Sequence, residues 1–304
     1  MKIDLNDELV QRRYYVMKRH KGALYPDENG EIRFSYNDLI ELEEGDTVRT
    51  KAQQDFYQMK LRQTESQKDY GPFTWMLYNC GNEIFSNLRA STLTRLIYIS
   101  TFLGYNGYLV NDNYTILTKE KLKRKINISN TDFYDFWNEI VSFNFIYEED
   151  NKIIMNKNVF TKGELTKNII KNYDVVRLAV NGVRALYENV DSVRSHKNLS
   201  YLFKIIPFVN KEWNIICKNP KEKNRELINY MSIPEFCVAI GYNKSNARKL
   251  INTLSMITFN GQPALIYITM DFKIEKAKIV INPNLYWAGT NWENVKYLSY
   301  WFNR

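Results

Sequence analysis

The chain has 304 residues, 44% of them hydrophobic and 25% charged, and this ordinary globular composition excludes an intrinsically disordered chain. No stretch approaches the roughly 20 apolar residues of a membrane span, and residues 1–15 lack the apolar centre of a signal peptide. The formal net charge is +8, and residues 199–304 alone carry 14 Lys and Arg against 7 Asp and Glu. This excess suits a polyanionic partner and a merely soluble basic protein about equally.

The N-terminal part of the chain, residues 1–88, is predicted to be a small α+β region. Its pattern indicates two short strands, a polar helix, a turn and an apolar run, at residues 30–42, 46–50, 52–67, 71–72 and 73–78. No motif in this region indicates a role.

The rest of the chain contains an internal repeat. The matched apolar positions are Leu93, Leu96, Leu122 and Ile126 in the first copy and Leu199, Leu202, Phe236 and Ile240 in the second. A closing pattern, Asn-x-Asn-apolar-aromatic-x-x-Gly, occurs at residues 156–163 and again at 282–289. Because polar surface residues have little reason to recur in one register by chance, the repeat indicates a duplication.

Each copy is predicted to contain three helices and then two strands. The first helix is apolar and ends at a turn-rich segment, residues 104–108 or 210–213. The second helix begins after an N-cap hydroxyl, Thr118 or Ser232. Asn or Gly then supplies the left-handed conformation that a tight turn between helices commonly needs.

The third helix of each copy has one apolar stripe at positions i, i+3, i+4 and i+7. The stripes are Phe133, Phe136, Trp137 and Ile140 in the first copy, and Ala247, Leu250, Ile251 and Leu254 in the second. Two strands with a polar tip follow each third helix. Three helices, a turn between the last two and a hairpin are typical of a winged helix-turn-helix.

The predicted fold class is therefore mainly α with small β wings (α+β). It comprises two winged helix-turn-helix domains, residues 89–164 and 199–304, joined by a helical linker, residues 165–198. The linker is predicted to contain one helix over roughly residues 167–189, with a coiled-coil-like seam at Tyr173, Val176, Val180, Val183 and Tyr187. Two repeats of a seam are too few to establish pairing, so a helix packed between its own domains is favoured over a dimer seam. Arg177 and Arg184 of this helix are predicted to be available for phosphates or for acidic residues of the N-terminal region.

The third helix of the second copy is the strongest candidate for reading DNA. In a helix-turn-helix this helix enters the major groove, where Arg can bind guanine and Asn can bind adenine. The candidate residues on it are Lys244, Ser245, Asn246, Arg248, Lys249 and Asn252, and those on the following wing are Lys273, Lys276 and Lys278. The competing interpretation is a solvated helix with ordinary surface charges.

The first copy is predicted to be the weaker reader, because its third helix and its wing tip, residues 148–150, are rich in carboxylates. The candidate contacts there are Lys119, Lys123, Arg124 and Lys125 on the second helix, and Asn130, Thr131 and Tyr134 on the third. A solvated basic face is the competing interpretation. Tyr134 and Trp137 also suggest stacking on single strands, but Trp137 belongs to the core stripe, which favours packing.

No enzymatic motif is present: the sequence lacks GxxxxGK[ST], HExxH, GxSxG and GxGxxG, and it has only two histidines. We therefore expect a non-enzymatic protein, with a nuclease that has no recognisable motif as the exception. The three cysteines, Cys80, Cys217 and Cys237, lack CxxC spacing, which argues against a zinc site or a disulfide framework and for a reducing cytosol. No cofactor or metal is expected.

The order of residues 72–78, 93–107, the helix-turn-helix and the closing motif resembles RepL-type, MarR-like winged-helix replication proteins of plasmids and phages of low-GC Gram-positive bacteria. The tandem arrangement is also similar to plasmid initiators with two winged helices. The resemblance implies double-stranded DNA binding in the bacterial cytoplasm. A transcriptional repressor or regulator is the first expectation, and a replication initiator at origin repeats is the alternative. A third possibility is an adaptor that binds replication or regulatory proteins through the acidic first copy. Whatever its role, the chain is expected to be a monomer or a homodimer.

Overall fold

The computed structural model describes residues 23–26, 29, 32–35, 71–78, 85, 87–190, 192–268, 277–289 and 292–303. These residues form a mixed fold of α-helices and small β-sheets, which agrees with the predicted α+β class at this coarse level. The chain divides into two compact units, Met1–Arg62 and Gln63–Arg304. In the described part of the chain, no helix is long and apolar enough to cross a membrane.

The helices of the second unit are α1 Ala90–Ser100, α2 Lys119–Ile126, α3 Asn130–Ser142, α4 Lys167–Asn172, α5 Val180–Glu188, α6 Val193–Lys204, α7 Ile233–Ala239, α8 Ala247–Ser255 and α9 Trp292–Phe302. The strands of the chain are β1 Ala23–Pro26, β2 Ile32–Ser35, β3 Phe73–Tyr78, β4 Ile146–Glu149, β5 Lys152–Met155, β6 Phe160–Thr161, β7 Asp174–Ala179, β8 Thr258–Phe259, β9 Gln262–Pro263, β10 Leu265–Ile268, β11 Lys278–Ile281 and β12 Tyr286–Trp287.

In the first unit, β1 and β2 form an antiparallel hairpin. Strand β2 falls within the predicted strand of residues 30–42, whereas β1 was not predicted. The predicted strand at residues 46–50 and the predicted polar helix at residues 52–67 lie outside the described residues.

The helix boundaries follow local capping signals, as predicted. The Thr118 hydroxyl accepts a hydrogen bond from the Lys121 N–H at the start of α2, and α2 ends at Asn127 in the left-handed conformation (φ 53°). In the second copy, Glu235 accepts hydrogen bonds from the backbone and the hydroxyl of Ser232, and Gly241 provides the left-handed turn (φ 73°) after α7. The sequence therefore determines both tight turns locally.

The predicted apolar stripes of the third helices form the core. In α3, Phe133, Phe136 and Ile140 are at most 1% exposed, and in α8, Leu250, Ile251 and Leu254 are at most 2% exposed. Ala247, at the start of α8, is only partly buried against the same core. The hydrophobic effect on these side chains fixes which face of each third helix points outward.

Each copy ends in a two-stranded hairpin, β4–β5 or β10–β11. A third segment, between the first and second helices, pairs with the last strand of each hairpin. The Leu109 N–H donates to the Ile153 carbonyl at 3.0 Å, and the Ile216 N–H donates to the Ile279 carbonyl, also at 3.0 Å. Ile153 and Ile279 hold the same position relative to the closing motif, so the two copies share this third strand, which was not predicted.

The closing motif is a structural element in both copies. Its first Asn side chain accepts a hydrogen bond from the N–H two residues later, Asn156 from Asn158 and Asn282 from Asn284, each at 2.9 Å. These Asx turns redirect the chain from each hairpin into the short strands β6 and β12. The sequence repeats its asparagines because both copies need the same turn.

A four-stranded antiparallel sheet, in the order β12-β7-β3-β6, joins the two copies. Trp75 of β3 pairs with Arg177 of β7 at its centre. Trp75 donates its indole N–H to the Gly163 carbonyl (2.9 Å), and Arg177 donates a guanidinium N–H to the Gly289 carbonyl (2.7 Å). Those glycines close the two equivalent motifs. The sheet therefore has a pseudo-two-fold axis at the Trp75–Arg177 pair.

The first helices of the two copies, α1 and α6, pack against each other. The Thr94 hydroxyl of α1 donates to the His196 carbonyl of α6 at 2.7 Å. The predicted boundary between residues 198 and 199 falls inside α6. The two copies are thus packed directly together within one compact unit.

The prediction of a continuous helix over residues 167–189 was wrong for Asp174–Ala179, which is strand β7. Val176, Val180, Val183 and Tyr187 are each at most 5% exposed within the chain's own core, so these side chains offer no seam to a second chain. When a segment is buried, apolar spacings of 3 and 4 residues cannot distinguish one helix from a strand followed by a helix. Here residues 174–179 form a strand because they pair with β3, about 100 residues earlier in the chain.

The prediction that Arg177 and Arg184 are available for phosphates was also wrong. The Arg177 guanidinium lies 4.4 Å from the ring centre of Trp75 and binds the Gly289 carbonyl. Arg184 binds Asp112 at 2.6 Å and donates to the hydroxyl and carbonyl oxygens of Thr101. Both arginines hold the fold together.

Gly182 of α5 is required by packing, which gives a test of the fold. A Cβ at this position would lie 2.1 Å from the Asn284 carbonyl oxygen. Although Ala is favoured over Gly in a helix by about 1 kcal/mol, we expect Gly182→Ala to lower the free energy of unfolding by about 1–3 kcal/mol. Urea denaturation followed by circular dichroism measures this. The exposed neighbour Asn181, changed to Ala, should shift stability by less than about 0.5 kcal/mol, and equal stabilities of the two variants would contradict the packing argument.

Candidate nucleic-acid interface

The start of α8 presents the predicted DNA-contacting residues of the second copy together. A 3₁₀ turn, Lys244–Asn246, precedes α8, and the Asn243 side chain caps it by accepting from the Ser245 N–H at 2.9 Å. All six candidates on this element are exposed: Lys244, Ser245, Asn246, Arg248, Lys249 and Asn252. Arg248, Lys249 and Asn252 occupy the side of α8 opposite its buried stripe, and Lys244, Ser245 and Asn246 form the turn that leads into it. The structure thus brings together three cations, two amides and one hydroxyl on one outward face.

The wing of the second copy is described only in part. Lys278 on β11 is half-buried, with its ammonium group 3.9 Å from the ring centre of Tyr230. Cation–π contact at this distance holds the ammonium group on the ring. Lys273 and Lys276 lie outside the described residues.

A basic loop before α7, which sequence reasoning missed, distinguishes the second copy. Residues 218–225 contain Lys218, Lys221, Lys223 and Arg225, in a connection about seven residues longer than that of the first copy when the equivalent pairs Leu109–Leu117 and Ile216–Met231 are compared. Lys218 pairs with Glu235, Lys221 pairs with Asp174, and Arg225 lies 5.5 Å from the ring centre of Trp213. The pKa of Glu235 is lowered to about 2, and the hydrogen bond from Lys218 is the largest cause. The longer connection in the second copy was visible in the sequence and could have indicated this loop.

In the first copy, two of the predicted lysines lie against one exposed aromatic ring. The ammonium groups of Lys119 and Lys123 are each 5.7 Å from the ring centre of Tyr134. Lys119 is also 4.4 Å from the ring centre of Trp137, which is 6% exposed and belongs to the core as expected. Tyr134 itself is 53% exposed. We call Lys119, Lys123 and Tyr134 the lysine–tyrosine surface.

The other predicted residues of the first copy are placed separately. Asn130 and Thr131 are exposed at the start of α3, and Arg124 is exposed on α2. Lys125 is half-buried and lies 4.7 Å from the ring centre of Phe102, a different ring from that of Tyr134. The structure therefore does not bring Lys125 together with the lysine–tyrosine surface.

The acidic side chains of α3 are engaged within the fold, which sequence reasoning did not foresee. Arg89, immediately before α1, contacts Glu139 at 2.6 Å and Asp135 at 3.3 Å. Asp132 accepts from the Ser129 hydroxyl at 2.8 Å in the first turn of the helix. Burial acts to raise the pKa of Glu139, but hydrogen bonds from the backbone and guanidinium of Arg89 and from Thr92 outweigh it and hold that pKa below its usual range. Glu139 thus remains charged and paired.

The two third helices can be aligned through their stripes, because Phe133 and Ala247 open them at the same position. Tyr134 then matches Arg248, Asp135 matches Lys249, and Asn138 matches Asn252. Both copies therefore have Asn at the last of these positions, whereas Tyr134 and Asp135 of the first copy stand where the second copy has the cations Arg248 and Lys249.

Comparison with protein-family models, with curated proteins and with solved structures gives no match for this chain. The assignment of the candidate interface therefore depends on its geometry and charge.

Proposed function

We propose that the chain binds double-stranded DNA in a sequence-specific manner through two winged helix-turn-helix units, and that it regulates transcription or replication of a mobile element. The observation that carries the proposal is the group of six exposed polar side chains on the outward face of α8 and on the 3₁₀ turn before it, next to a buried apolar stripe. Arg, Lys, Asn and Ser are the side chains that bind base edges and phosphates in a major groove.

The order of elements supports this proposal. Each copy has a helix, a short strand, two helices separated by a left-handed residue, and a hairpin, in which the short strand pairs with the last strand. This order of elements is typical of a winged helix-turn-helix, in which the last helix is the recognition helix. The excess of 14 basic over 7 acidic residues in residues 199–304 places more favourable charge in the second copy.

Salt dependence is the first test. If the protein neutralises about six phosphates, its affinity for duplex DNA should fall roughly 10³-fold between 50 and 200 mM salt, because each contact releases condensed counterions. Fluorescence anisotropy with duplexes enriched from a random pool measures both the affinity and this slope. Binding that is independent of salt, or the absence of any enriched sequence, would exclude sequence-specific DNA binding. Enriched sequences that map upstream of genes support regulation, whereas sequences repeated within an origin support initiation.

A protein-binding role for the first copy is the second candidate function. Three apolar side chains at the end of α3 and in its wing are exposed: Val141 at 39%, Phe143 at 42% and Tyr147 at 53%. They adjoin the exposed carboxylates of Glu148, Glu149 and Asp150, which repel phosphate. An adaptor that uses this surface would bind a partner protein and would show no salt-dependent affinity for DNA.

A further inference from the structure

Arg89 makes three polar contacts with two carboxylates of α3. Its Nε lies 2.6 Å from Glu139 Oε2, its Nη1 lies 3.3 Å from Asp135 Oδ2, and its backbone N–H donates to Glu139 Oε1 at 2.7 Å. The Thr92 hydroxyl donates to Glu139 Oε2 at 2.6 Å. Arg89 is 46 positions from Asp135 and 50 positions from Glu139 in sequence, so these contacts form only when the first copy folds.

These contacts account for two of the three carboxylates on α3, and the Ser129 cap accounts for the third, Asp132. Asp132 also lies in the first turn of the helix, where a negative charge is favourable for the helix itself. Only the side chains of Asp135 and Glu139 therefore need a cation from outside the helix, and Arg89 supplies it to both.

The paired carboxylates and the lysine–tyrosine surface flank α3 on different sides. Tyr134 and Glu139 are five residues apart, which places them about 140° apart around a helix of 3.6 residues per turn. Asp135 lies between them on the outward face and is 56% exposed. Without Arg89, Asp135 would present an uncompensated carboxylate on the outward face of α3, next in sequence to Tyr134.

We infer that Arg89 is a charge mask: it neutralises Asp135 and Glu139, so that the first copy approaches DNA phosphates through Lys119, Lys123 and Tyr134. The inference rests on the proposed DNA binding and deepens it, because it makes the acidic first copy a DNA-contacting unit. Arg89 acts on DNA through the carboxylates it pairs and is a positioning residue. The Arg89–Asp135 pair is exposed and contributes only about 0–1 kcal/mol to stability. Glu139 is 14% exposed and keeps the hydrogen bonds from the Arg89 backbone N–H and the Thr92 hydroxyl when the guanidinium is removed.

Charge rescue tests the mask in the full chain. Arg89→Met should weaken binding to a duplex enriched with the wild type on the order of tenfold, because two carboxylates that have lost their neutralising guanidinium repel phosphates within a Debye length. Adding Asp135→Asn and Glu139→Gln to Arg89→Met should restore wild-type affinity. The matched control is Lys157→Met, which removes one exposed positive charge without freeing a carboxylate pair and should change affinity less than about twofold.

Each outcome of this experiment decides a separate question. If the triple variant binds as weakly as Arg89→Met, Arg89 contacts DNA directly, and the mask is overturned. If Arg89→Met binds as tightly as the wild type, the carboxylates do not face DNA, and the mask is again overturned. If the wild type enriches no duplex and shows no salt-dependent affinity, the proposed function fails before the variants are compared. Thermal melts followed by circular dichroism verify that all the variants are folded.

Discussion

A chain that carries Arg248→Glu and Lys249→Glu should bind its enriched duplex at least about 100-fold more weakly than the wild type. Each residue is exposed on the outward face of α8. Loss of an arginine that binds guanine costs on the order of 1–3 kcal/mol, and two new carboxylates beside the phosphates add repulsion to that loss. Anisotropy titrations at 100 mM salt measure the effect.

The control for this charge reversal lies on α6 of the same copy. Arg194→Glu with Lys197→Glu makes the same change in net charge at two exposed positions, and we expect it to lower affinity much less. The single variant Arg248→Ala should cost more than Tyr134→Ala or Asn130→Ala at the equivalent helix of the first copy. If the first-copy variants abolish binding while Arg248→Ala has no effect, the stronger reader is the first copy and the assignment is reversed.

The features that the sequence predicted correctly depend on neighbouring residues. Thr118 and Asn127 mark the two ends of α2, and Phe133 to Ile140 mark the buried side of α3, because capping and helical periodicity act within a few residues. The hairpins were predicted for the same reason. From these local features the outward face of α8 follows, since Arg248, Lys249 and Asn252 remain exposed once the buried stripe is assigned.

The features that were missed depend on partners far away in sequence. Strand β7 is decided by its pairing with β3, and the mask by a contact between Arg89 and Glu139, 50 residues apart. Arg89 has no local signature that distinguishes it from any surface arginine. The carboxylates of α3 could therefore be predicted from the sequence, but their neutralisation could not.

The last prediction concerns how the two copies meet one duplex. A flexible linker would permit several spacings between half-sites, but β3 and β7 pair directly, and α1 packs on α6. The motifs that close the two copies are related by the pseudo-two-fold axis of the sheet at Trp75 and Arg177, and we expect the same axis to relate the third helices α3 and α8. Two recognition helices related in this way read half-sites that are inverted with respect to each other, as they do in a symmetric dimer.

We therefore expect one monomer to occupy one site with two inverted half-sites, whose centres are about 10 bp apart. The half-sites should differ in sequence, because Tyr134 and Asp135 stand where α8 has Arg248 and Lys249. Binding through both copies gains affinity by effective concentration, so scrambling either half-site should weaken binding by roughly 10²-fold or more. Footprinting on the enriched duplex, with light scattering of the complex, measures the orientation of the half-sites and the number of chains.

Spacing variants separate a rigid pair of readers from a flexible one. Insertion of 5 bp turns one half-site to the opposite face of the duplex, and insertion of 10 bp restores the face but adds about 34 Å. Because the two copies are joined by a four-stranded sheet, both insertions should reduce affinity to that of a single half-site. Recovery at 10 bp would mean that the copies separate on DNA. A complex of two chains on a perfect palindrome would contradict the monomer, since each chain would then use only one of its copies on the site.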